Sequence, residues 1–96
     1  MLQQMRITTS DRVTLKPLLE SAIESEKKMI SLGLERTRQR LAEFEQKYHM
    51  TSAEFERQLN VLELAETVDF SEWRMEIGML NLLERQYKAL QDARLD

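Results

Sequence analysis

One histidine, three arginines on alternate positions and a scatter of carboxylates are the residues of this chain whose chemistry could go beyond packing. His49 is the single histidine, and there is no cysteine. A general base would suit an imidazole, but a metal centre needs companion His or Cys ligands that the chain does not supply. The setting of His49 points instead to a helix terminus, where a residue in the left-handed conformation ends the preceding helix. Arg36, Arg38 and Arg40 suggest a phosphate cradle. Arg36 and Arg40 share a helix face at i,i+4 spacing, whereas Arg38 points elsewhere, and Glu35, Glu43 and Glu45 neutralise the neighbourhood. An ion-paired, solvated face is the expectation. The remaining acids fall mainly on polar helix faces, with no Gly-rich loop, nucleophile elbow or metal-ligand spacing nearby. No catalytic, cofactor or metal site is expected, and the chain reads as a non-enzyme.

The elements that carry these residues follow from periodicity. From Lys16 to Tyr48 the only breaker is Gly33. Apolar residues recur at Leu19, Ile23, Ile30, Leu34, Leu41, Phe44 and Tyr48, with Thr37 filling one step. Intervals of three and four make this a coiled-coil-like seam, widened by Leu18, Ala22, Met29 and Leu32. A helix is expected over about 16–48, with Pro17 in its first turn and Ser10 or Asp11 able to cap it. Residues 1–14 read as an extended or disordered segment, since Ile7-Thr8-Thr9 has no partner strand. Met5 could be the true start. Residues 15–96 then form a single helical domain.

Lys47 to Glu54 reads as a helix stop followed at once by a helix start. His49 takes the left-handed position that Gly would prefer. Thr51 and Glu54 have capping-box spacing. A short helix over about 52–62 presents Phe55 and Leu59 on one face. Glu63 to Val68 reads as a connector. Asp69 and Glu72 repeat the capping-box spacing, and a final helix is expected over about 70–93. Its main stripe is Phe70, Trp73, Ile77, Leu80, Leu83, Tyr87 and Leu90. Met75, Met79 and Leu82 lie on another face. The expected fold is all-α: a long antiparallel helical hairpin with a short helix at the elbow, coiled-coil-like and oligomeric. Tyr48, Phe55, Phe70 and Trp73 are its expected core anchors.

Composition restricts the function classes. The chain has 96 residues, two Gly, one Pro, and a formal net charge of −3. That balance argues against general nucleic-acid binding, which draws its affinity from neutralising phosphates. It suits a basic protein partner. The long gap from Leu62 to Asp69 and the lack of a short basic recognition helix also argue against a helix-turn-helix. No apolar run approaches membrane-spanning length, and the N-terminus lacks a signal-peptide core, so a cytoplasmic location is expected.

Length then argues for association. A first helix of about 33 residues spans about 50 Å. A compact globule of this size would be only about 32 Å across. One chain cannot cover a stripe that continues through Leu18, Leu19, Ala22 and Ile23, and exposed apolar surface of that extent marks an interface. The expected partner-binding residues are Leu19, Ile23 and Ile30 on the first helix, with Met75 and Met79 on the last.

The elbow Lys47-Tyr48-His49-Met50-Thr51-Ser52-Ala53-Glu54-Phe55, followed by Asp69-Phe70-Ser71-Glu72-Trp73, resembles a family of small acidic helical proteins of bacteria and archaea. Their pattern is Lys-Tyr-Gly-Met-Ser-x-Glu-Glu-Phe, then Asp-Phe-x-Glu-Trp before a final helix. The resemblance covers Pro17 to Leu90 and departs at His49, where the family has Gly. Members are antitoxins, often encoded beside small toxins of the TumE type. The resemblance implies that this chain binds and neutralises a toxin, and the acidic surface suits a basic one such as a nuclease. Two other readings come from the residues: a self-assembling structural or adaptor coiled coil, and, less favoured, a DNA-binding autoregulator.

Overall fold

The computed structural model describes residues 2–62 and 67–96, with side chains over 2–59 and 67–96. Among the described residues the chain is all-helical: α1 (Arg12–Tyr48), α2 (Ser52–Leu62) and α3 (Val68–Asp92). The connector expected at Glu63–Val68 falls largely on 63–66, outside the described residues.

α1 begins at Arg12, ahead of the expected Lys16, because Asp11 supplies a complete cap. Its carboxylate accepts the Thr14 N–H at 3.1 Å, and its carbonyl accepts the Leu15 N–H at 3.1 Å. Thr9 Oγ1 in turn accepts the Asp11 N–H at 3.1 Å. Residues 12–14, read as extended from sequence, are therefore helical. Pro17 moves from the first turn into the second. There its missing N–H leaves the Val13 carbonyl without a helical donor.

α1 is 37 residues long and α3 is 25. At about 1.5 Å per residue, α1 spans about 55 Å, which accounts for the longest dimension of 57 Å. The two helices run antiparallel. Lys47 meets Asp69, Phe44 meets Trp73, Arg40 meets Glu72, and Gly33 lies against Leu83. That pairing brings the end of α3 level with the Ile23–Ser25 turn of α1, so the first three turns of α1 overhang.

The core is lopsided. Leu41, Phe44, Phe55, Trp73 and Ile77 form its densest cluster, flanked by Tyr48, Met50, Leu59, Phe70 and Leu80. All of it sits at the elbow end. Beyond it the buried line thins to Thr37, Leu34 and Ile30.

Candidate protein-interaction surface

The elbow is the best-built part of the molecule. His49 adopts φ 52, ψ 43, the left-handed conformation expected there. The Glu45 carbonyl accepts the His49 N–H and the Met50 N–H at 3.3 Å. The second of these bonds belongs to the Schellman ending of a helix. The Glu45 carboxylate also accepts the Ser52 N–H at 2.6 Å, so one residue closes α1 and opens α2. Thr51 Oγ1 accepts the Glu54 N–H at 3.1 Å, the expected capping bond.

Five of the six aromatic residues meet at this elbow. Trp73 lies flat on Phe55, with ring centroids 4.0 Å apart and planes 2° apart. It packs against Phe44 at 5.6 Å and Tyr48 at 5.8 Å on its other contacts. Trp73 and Phe55 are fully buried. The indole N–H donates to Ser52 Oγ at 2.9 Å, a bond between α3 and the first residue of α2. Nothing in the linear pattern signals that pairing.

The expected capping box at Asp69 and Glu72 is replaced by another arrangement. α3 starts at Val68, and Thr67 is its cap, accepting the Phe70 N–H through Oγ1 at 3.0 Å. Asp69 and Glu72 are thereby released to reach α1. Asp69 accepts from Lys47 Nζ at 2.6 Å and from the Tyr48 hydroxyl at 2.5 Å. Glu72 pairs with Arg40 at 3.0 Å, and Arg40 also reaches Glu43 at 3.6 Å and lies over the Phe44 ring.

The Lys47–Asp69–Tyr48 group could be taken for a proton relay. Its electrostatics say otherwise. The hydrogen bond from Lys47, then that from Tyr48, holds the Asp69 carboxyl below the ordinary 3.8. The bond to Asp69 raises the Lys47 ammonium and the Tyr48 phenol above their ordinary values. All three shifts move away from neutral pH, opposite to what acid–base catalysis requires. The group is a clamp.

Of the expected partner-binding residues, Ile30 is 7% exposed and belongs to the buried line between α1 and α3. It is core in the single chain, because α3 runs past it. Leu19 and Ile23 are half-buried, at the end of α3 and beyond. Met75 and Met79 are 71% and 45% exposed, and Leu82 is 48% exposed on the same helix. The other expected residues, Tyr48, His49, Thr51, Glu54, Phe55, Asp69, Phe70, Glu72 and Trp73, converge on the elbow. Missed as a unit was a second line on α1: Leu18, Met29 and Leu32 are exposed apolar residues. It was legible as spacing, but it looked like a widening of the core stripe.

Two contacts show which flanks of the helices lie side by side. One is the Arg40–Glu72 pair. The other is Gly33, where an added methyl would sit 3.3 Å from Leu83 Cδ1. Stepping by three and four from these anchors, the same flank carries Leu18, Ala22 and Met29 on α1, and Met79 on α3. A shallow groove between α2 and α3, lined by Glu56, Leu59, Arg74, Gly78 and Asn81, gathers no set of metal-ligating groups. Among the described residues no helix is long and apolar enough to cross a membrane. Compared with protein-family models, curated proteins and solved structures, the chain matches none of them.

Proposed function

We propose that this protein is a non-catalytic binding module that captures a basic protein partner on its outer helical faces and neutralises it by occlusion, as an antitoxin does a toxin. The observation that carries the reading is the exposed line Met75, Met79 and Leu82 on α3. Methionine side chains are long, unbranched and polarisable, which suits a surface that must mould to another protein. They project from a helix anchored at its start by Trp73, so little ordering is needed on binding. The net charge of −3 favours encounter with a basic partner. The toxin assignment itself rests on the resemblance of the elbow and of the Asp-Phe-x-Glu-Trp motif.

Co-expression with the product of the adjacent open reading frame tests it. That product should arrest growth alone, become harmless with this protein, and co-purify with it in a defined ratio. A harmless neighbour, or one that does not co-purify, sinks the toxin assignment. The double substitution Met75→Glu/Met79→Glu should weaken capture by about tenfold or more and leave helicity unchanged, since both residues are solvent-facing.

A second reading, a self-assembling structural or adaptor coiled coil, is favoured by the separate exposed line on α1. An assembly that covers both lines with copies of this chain, and shows no affinity for the neighbouring product, would replace the first reading.

A further inference from the structure

The chain has far more surface than its mass warrants. Its accessible area is 8148 Å². A compact monomer of 11.4 kDa would expose about 5,800 Å². Residues 2–10, exposed throughout, explain roughly 1,000 Å² of the difference on the unfolded-chain scale. Much of the rest follows from the elongated shape of the hairpin, 57 Å in its longest dimension.

The spare surface has a pattern. On α1, Leu18, Ala22, Ser25, Met29, Leu32 and Arg36 follow one another at intervals of four and three, the repeat of a coiled-coil seam. All six are exposed. Met29 and Leu32, at 65% and 67%, are its centre. This seam is distinct from the buried line of Ile30, Leu34, Thr37, Leu41 and Phe44 that faces α3.

We propose that a second copy of this chain occupies the seam, α1 against α1 and antiparallel, with Met29 of each copy opposite Leu32 of the other. Local charge favours that direction. Lys28 and Glu35 flank the seam on one side, seven residues apart and on opposite sides of that midpoint, and both are exposed. An antiparallel copy brings Lys28 level with Glu35, while a parallel copy sets Lys28 beside Lys28 and Glu35 beside Glu35. Beside the centre, Lys28 of each copy comes within reach of Glu35 of the other on the same flank, giving two symmetric pairs. Size matches as well: Arg36 falls opposite Ser25, so a long side chain meets a short one. The two-fold arrangement makes every contact occur twice, as an isologous interface requires. It leaves Met75 and Leu82 outside the seam, so it does not depend on the partner-binding reading.

Light scattering and sedimentation of the full chain at tens of micromolar test this. The expected mass is twice 11.4 kDa. Leu32→Glu should halve it with helicity unchanged, because that side chain takes no part in the core. Lys28→Glu should weaken the dimer by at least tenfold, because it sets a second carboxylate against Glu35. Adding Glu35→Lys in the same chain should restore it. A monomeric wild type overturns the proposal, as does a Leu32→Glu dimer, or a double swap that fails to restore. A monomer whose capture of the neighbouring product is lost on Leu32→Glu would also overturn it, since the seam would then belong to a different partner. In every one of these cases the Met75 and Met79 face keeps its own test.

Discussion

At the residue scale, the elbow depends on a few polar atoms among aromatic rings. Ser52→Ala removes the acceptor of the Trp73 indole N–H at a fully buried ring. The unpaired donor should cost about 1–3 kcal/mol, measured as a lower denaturation midpoint and seen directly as a change in emission of the single tryptophan. His49 bears the opposite liability. A left-handed conformation costs a side-chain-bearing residue about 1–2 kcal/mol, and Gly relieves this while adding freedom to the unfolded chain worth about 0.4–1 kcal/mol. His49→Gly should therefore stabilise by roughly 0.5–1 kcal/mol. An unchanged or lower midpoint would mean that the imidazole makes a compensating contact.

At the element scale, the tie between the end of α1 and the start of α3 is ionic and follows pH. The folded-state pKa of Asp69 lies below the unfolded one, so its contribution is complete above about 3.8 and is lost as pH falls through the folded value. Lys47 and Tyr48 are raised, so their contribution is complete below about 10.0 and fades at more alkaline pH. Asp69→Asn should lower the melting temperature between those limits, and the gap from wild type should close in acid. A gap that persisted at pH 2 would show that packing, not charge, is what Asp69 supplies. The two helical glycines should also respond differently. A methyl at Gly78 meets nothing within 4 Å, so Gly78→Ala should stabilise by about 0.8–1 kcal/mol through helix propensity alone. At Gly33 the neighbouring Leu83 must give way, and the gain should be smaller, which paired melts of the two variants would show.

At the scale of the whole molecule, the helices were legible because long uninterrupted 3-and-4 periodicity has few other solutions. The stop at Tyr48 and restart at Ser52 were legible from capping chemistry, down to the left-handed His49. What failed to show were choices between equivalent local signals. Asp69-x-x-Glu72 has the capping-box spacing, whereas the cap that forms, Thr67-x-x-Phe70, has no acid at its end to signal it. The two acids look alike in sequence whether they cap a helix or cross to Lys47 and Arg40. Ile30 looked available because the register of α3 on α1, set by contacts such as Lys47–Asp69 and Gly33–Leu83, is not encoded locally. The Ser52–Trp73 bond joins residues 21 apart, and nothing local encodes it.

The antiparallel pairing has a mechanical consequence. α1 starts and α3 ends at the same end of the hairpin, opposite the aromatic elbow. Force applied through the two termini would therefore peel the helices apart one turn at a time instead of shearing them past each other. The thin distal contacts around Ile30 and Leu34 should yield first and at low force. The stacked rings of Phe55 and Trp73 should yield last, in one abrupt step. An optical-trap trace of the chain held by its ends should show that sequence, and Ser52→Ala should lower only the final step.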